Sequence, residues 1–138
     1  VAKKRDSQLS GLAGEFFAAA ELLKRDFQTL VTLGNAKAID LMAIHPTTGR
    51  KFSIQVKTLR DPNYFLIDGG KCSREHIYVF VLLNKPGVPV EHFIVSGATL
   101  VDEPSRFGKC LKIEKMPGIR PQDLKQFKDN WGVFDEPQ

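Results

Sequence analysis

Two apolar runs joined by a tight turn constrain this chain more than any other feature in it. Ile39-Asp40-Leu41-Met42-Ala43-Ile44 leads into a turn at Pro46–Gly49, and Phe52-Ser53-Ile54-Gln55-Val56-Lys57-Thr58 leads out. The alternation and the turn residues predict a β-hairpin. With Thr47 and Thr48 at its tip, Asp40 lies opposite Gln55, and Lys57 points to the same side as Gln55. Ile54 and Val56 then point the other way, into a core. A slip by one residue would bury the polar trio and expose the aliphatics, so the register is strongly specified.

An acid, an amide and a lysine on one sheet face have a plain explanation. Asp40 and Lys57 neutralise each other on a solvated surface, with Gln55 as a polar neighbour. Two features argue for more. The flanking strands are strongly apolar, and desolvated charges need further partners. A third acidic group, Glu15, stands in an amphipathic helix upstream. A hard cation takes oxygen ligands, and the Asp40 carboxylate, the Gln55 side chain, the Val56 carbonyl and Glu15 form such a set for Mg²⁺ or Mn²⁺. Lys57 is then suited to orient or deprotonate an attacking water, or to offset charge in the transition state of phosphodiester hydrolysis.

At these residues the chain resembles the PD-(D/E)xK nuclease superfamily, whose pattern is an acid on one strand, acid-x-lysine on the next and a glutamate from the first helix. The matching residues are Asp40, Gln55-Val56-Lys57 and Glu15. The local text Gly11-Leu12-Ala13-Gly14-Glu15-Phe16-Phe17-Ala18-Ala19-Ala20-Glu21-Leu22-Leu23, with Asp40-Leu41 and Ile54-Gln55-Val56-Lys57-Thr58, is similar to the branch holding archaeal Holliday-junction resolvases and restriction-like homing endonucleases. The resemblance implies a restriction-endonuclease-like α/β fold, a central mixed β-sheet flanked by helices with an αβββαβ core. It also implies a Mg²⁺- or Mn²⁺-dependent endonuclease acting on DNA, with Glu15, Asp40, Gln55 and Lys57 catalytic. A homodimer is compatible with it, although no stretch of the sequence marks an interface. Gln55 departs from the pattern, standing where the second acid belongs. An amide carbonyl ligates a cation but brings no charge, so Asp40 and Glu15 carry the negative charge alone. A nuclease-fold module that binds nucleic acid or a protein without cutting is the alternative. A purely structural domain with an ion pair between Asp40 and Lys57 is the third reading.

The chain has 138 residues, enough for one domain with a real core, and residues 1–138 are read as that domain. Nothing approaches the roughly 18 consecutive apolar residues of a membrane span. The opening Val-Ala-Lys-Lys-Arg is followed by no apolar stretch, so a cytoplasmic protein is expected. Cys72 and Cys110 lack metal-binding spacing and read as reduced thiols. The net charge of +4 is compatible with a phosphate-rich partner. Arg60, Lys71 and Arg74, nearest the hairpin in sequence, are the candidates for phosphate contact.

Elsewhere, residues 1–8 read as a loose basic arm and 135–138 as a tail. Ser10 is expected to cap a helix running to about Arg25, with Leu12, Phe16, Ala19, Leu23 and Phe27 as its core stripe and Glu15 at the stripe's edge. Strands are expected at 29–33, 77–83 and 92–95, with a short strand or loop near 64–67. The run Ile77–Leu83 fits a strand buried on both faces. Residues 96–100 open a short helix or turn. A last helix is expected over 121–130, with Leu124 and Phe127 inward and Trp131 and Phe134 closing the core. The αβββαβ pattern requires a helix within 60–76, where Pro62, Gly69 and Gly70 oppose one.

Overall fold

A computed structural model describes residues 2–137, with side chains from residue 7 onward. Helix α1 (Ala2–Lys24) is followed by β1 (Gln28–Val31), β2 (Leu41–Ile44) and β3 (Lys51–Leu59). Then come β4 (Phe65–Leu66), β5 (His76–Leu82), β6 (Glu91–Ser96), α2 (Gly97–Asp102) and β7 (Gly118–Ile119). The main sheet has the order β1-β2-β3-β5-β6, and β4 pairs with β7 in a small second sheet. The β3–β5 pair is parallel and the other pairs of the main sheet are antiparallel. This is an α/β fold on a mixed five-stranded sheet.

The hairpin has the expected register, with Leu41 opposite Ile54, Met42 opposite Ser53 and Ala43 opposite Phe52. Its turn closes through His45 N to Arg50 O at 2.8 Å. β5 is buried along nearly its whole length because both faces of the sheet are covered. Ile77, Val79 and Val81 join Ile54, Ala18 and Leu22 under α1, while Tyr78, Phe80 and Leu82 join Phe65, Phe107 and Ile119 on the far side. Ser96 caps α2 by accepting from Thr99 N.

Six expectations give way. The segment 1–8 is not a loose arm: α1 begins at Ala2, and Val1 lies outside the described residues. Ser10 therefore stands within α1, buried, rather than at its cap. The core stripe is also displaced. Of that stripe Ala19 and Phe27 are buried, but Leu12, Phe16 and Leu23 are 41%, 51% and 53% exposed, while Ser10, Ala18 and Leu22 on the opposite side are buried, with Gly14 between them. These inward residues recur every four positions and are mostly small, so the helix backbone comes close to the sheet. A Cβ on Gly14 would stand 1.9 Å from Thr58 Oγ1. Large side chains could not occupy that gap, and they face outward instead.

The crossover from β3 to β5 contains β4 and a 3-10 turn at Gly69–Lys71 rather than the helix of an αβββαβ core. Pro62 and the Gly69-Gly70 pair account for that. The expected last helix is a 3-10 segment, Pro121–Phe127, though Leu124, Phe127, Trp131 and Phe134 are buried as anticipated. The tail is held down: Arg50 donates to Glu136 O at 2.6 Å, and Asp135 pairs with His45 Nε2 at 2.5 Å. Gln138 lies outside the described residues.

Candidate active site

The site forms where the β2–β3 ladder opens. β2 starts at Leu41, so β3 continues past it without a strand on that side. Asp40 N still donates to Ile54 O at 2.9 Å. One step further the Asp40 side chain takes over from the missing backbone, Oδ2 accepting from Val56 N at 2.8 Å. Backbone groups of alternate strand residues point to the same neighbour. Leu59 O accepts from Leu83 N beyond β5, which assigns the odd-numbered residues of β3 to β5 and the even-numbered ones to the β2 side. The Val56 carbonyl therefore faces the opening beside Asp40.

Gln55 and Lys57 project to the face away from α1, as the hairpin register requires. Gln55 Nε2 bonds His76 Nδ1 at 3.0 Å and donates to Tyr78 OH at 3.3 Å. That turns the amide nitrogen toward β5 and leaves Oε1 as the end not engaged there. Tyr78 OH also accepts from Ser73 N at 2.8 Å, and burial pushes its pKa up to about 12, so it stays a neutral phenol. Lys57 is partly buried, and among the described residues no ion pair joins it to Asp40. The plain explanation of the trio as a neutralising pair is therefore not what the geometry shows.

Glu15 stands half-buried on α1, on the other side of the sheet. Its pKa is raised, first by burial and then by the Asp40 carboxylate. The second cause places the two acids within electrostatic reach of each other. Glu15 comes from one face of the sheet, and Gln55 and Lys57 from the other. They share a neighbourhood only because Asp40 lies in the plane of the sheet at the gap.

A hard divalent cation fits this donor set. Two carboxylates that repel each other, a backbone carbonyl and an amide oxygen are oxygen ligands of the right kind, with a charge of about −2. Among the described residues no three His, Cys, Asp or Glu side chains cluster, so Asp40 and Glu15 would hold the ion with Val56 O, Gln55 Oε1 and water.

The basic candidates separate. Arg60 and Lys57 line one groove of about 450 Å³ with Ser10, Asn63 and Tyr64, and Arg60 Nε donates to Ser10 Oγ at 2.9 Å. Lys71 lines a smaller cavity with Gln55, Lys57, Asp68, Cys72 and Tyr78. Arg74 is ion-paired with Asp102 and lines a different groove. Asp68, His76 and Tyr78 escaped the sequence reading. The parallel pairing of Gln55 with Tyr78 brings two of them in, and strand pairing across the 16 residues between Leu59 and His76 has no local signal.

The fold has a solved counterpart. The structure of a bacterial homing endonuclease, I-Ssp6803I, is similar to it with a TM-score of 0.56 at 13% sequence identity, over 93% of this chain and 92% of that chain. At that identity the likeness establishes the fold. No family model and no curated protein matches the chain. Among the described residues no helix is long and apolar enough to cross a membrane.

Proposed function

We propose that this chain is a divalent-metal-dependent endonuclease of the PD-(D/E)xK kind, hydrolysing phosphodiester bonds in DNA. The observation that carries the reading is the Asp40 carboxylate held by Val56 N at 2.8 Å at the open end of the ladder, with Glu15 within its electrostatic reach. Two carboxylates within electrostatic reach repel each other, and a cation between them removes the repulsion. The likeness to a homing endonuclease supports the same reading and suggests DNA as the substrate.

A divalent ion held there supplies Lewis acidity toward a phosphate oxygen and an attacking water. The residues do the rest by position and charge. Asp40, fixed by Val56 N, and Glu15 hold the ion with Val56 O and Gln55 Oε1. Lys57, free of Asp40, orients the water and offsets charge growing on the phosphate. Arg60 and Lys71 on either side of Lys57 are suited to phosphate contacts, and Arg74 must leave Asp102 to join them.

Incubation with plasmid, branched and single-stranded DNA, with and without Mn²⁺, tests the reading. Cleavage that needs the metal is expected, lost in Asp40→Asn and in Lys57→Ala. Asp40→Asn keeps an acceptor for Val56 N, so it separates chemistry from folding. Full activity in either variant overturns the assignment. Gln55 favours a second reading, a module that binds DNA without cutting, since the amide leaves the site one charge short. Metal titration separates them: a binding module needs no Asp40-dependent Mn²⁺ affinity. Gln55→Glu should tighten Mn²⁺ binding, and no change would remove Gln55 from the ligands.

A further inference from the structure

We propose that the outer face of α1 is a self-association surface, where two copies of this chain pack antiparallel about a two-fold axis at Phe16. Leu9, Phe16 and Leu23 are 53%, 51% and 53% exposed and lie seven residues apart, with Leu12 at 41% on the same side. Seven residues are close to two helical turns, so these side chains form one stripe, about 21 Å long at 1.5 Å per residue. The stripe is uncharged as well as apolar. Between Ser7 and Leu23 the charged residues are Glu15 and Glu21, which lie roughly 100° and 140° round the helix from Phe16, outside the stripe. A helix face meant for water carries charge, and depletion of charge marks the core of an interface.

The pattern itself selects the occupant. Counted from Phe16, Leu9 and Leu23 are each seven residues away, and Leu12 and the exposed Ala20 are each four away. The stripe therefore reads the same in both directions. Under a two-fold axis Leu9 meets Leu23, Leu12 meets Ala20 and Phe16 meets its own copy, which is the self-complementary arrangement of a closed dimer. A different protein has no reason to match that symmetry. With Phe17 at its flank, the stripe leaves on the order of 500 Å² uncovered per copy. A symmetric pair removes on the order of 1,000 Å² before a polar rim is counted, close to the roughly 1,200–2,000 Å² of a stable interface.

Sedimentation of the whole chain across a dilution series tests the surface. The expected result is a dimer whose mass falls twofold in Phe16→Glu and in Leu9→Glu, with circular dichroism showing that at least one variant keeps its fold. Cross-linking tests the register in a Cys72→Ser, Cys110→Ser background. Phe16→Cys should form a covalent dimer with itself on mild oxidation, and Leu9→Cys should pair with Leu23→Cys but not with itself. A wild-type chain that is monomeric throughout overturns the proposal and leaves the face to another protein. So does a folded Phe16→Glu variant that keeps the dimer mass. Self-pairing of Leu9→Cys without self-pairing of Phe16→Cys overturns the antiparallel arrangement.

Discussion

The inner and outer faces of α1 are both apolar, yet they are built from different sizes of residue. Inward stand Ser10, Gly14, Ala18 and Leu22; outward stand Leu9, Leu12, Phe16 and Leu23. Hydrophobicity alone would turn the outer set toward the core, because it is the more apolar of the two. The sheet takes the inner set because the helix lies close to β3, with Gly14 against Thr58. Close approach also brings Glu15, the next residue, within electrostatic reach of Asp40. Packing and chemistry share that one contact.

The contrast can be broken from the inside. Leu22 has no exposed surface, and Leu22→Ala should cost about 2–5 kcal/mol in denaturant unfolding. Gly14→Ala drives a methyl into Thr58 and should cost about 1–3 kcal/mol. Thr58→Ala in the same chain should restore most of it, because among the described residues the buried Thr58 hydroxyl has no partner to lose. If Gly14→Ala is neutral by itself, the helix does not sit that close to β3.

Acid sharpens the comparison through His92, buried on the α1 side of the sheet against Trp131. Burial lowers its pKa below the ordinary 6.5, with Glu21 and Asp129 opposing. The unfolded chain takes up a proton that the folded chain resists, so stability should fall as pH drops below 6.5. His92→Leu should flatten that limb of a melting-temperature profile. Glu15 has the opposite sign. Its raised pKa makes the charged form a cost to the folded state at neutral pH, a cost that disappears as pH falls toward 4.5. Glu15→Gln should therefore raise the melting temperature at pH 7, by less as the pH is lowered. A lower melting temperature at pH 7 would mean that Glu15 is not repelled there.

The smallest effect belongs outside. In dilute solution Leu12→Ala should change stability by no more than about 0.5 kcal/mol, the range of surface substitutions away from packed features. A loss equal to that of Leu22→Ala would mean that the outer face is packed within one copy.

Much of the candidate site could be read from local pattern. The alternation of Leu41, Ala43, Phe52 and Ile54 and the turn at Pro46–Gly49 set a register that puts Gln55 and Lys57 on one face. Glu15 stood at the edge of the expected helix stripe, and the resemblance rather than the pattern singled it out. The in-plane carboxylate of Asp40 was not legible, because it depends on where β2 stops. Nor were Tyr78 and His76 beside Gln55, since parallel partners are chosen by the crossover. The cap at Ser10 misled because helix formation upstream was invisible in a basic segment without periodicity.

By itself the sequence determined the things that repeat over a few residues: the hairpin, its register, the doubly buried run of β5 and the common face of Gln55 and Lys57. Periodicity of two specifies these wherever one side must be dry. Only the tertiary structure decided which of two apolar faces of α1 goes inward, and that Glu15 comes within electrostatic reach of Asp40. Those outcomes depend on steric fit between distant segments, with Gly14 at Thr58 as the deciding contact, and no local pattern of polarity encodes a distance.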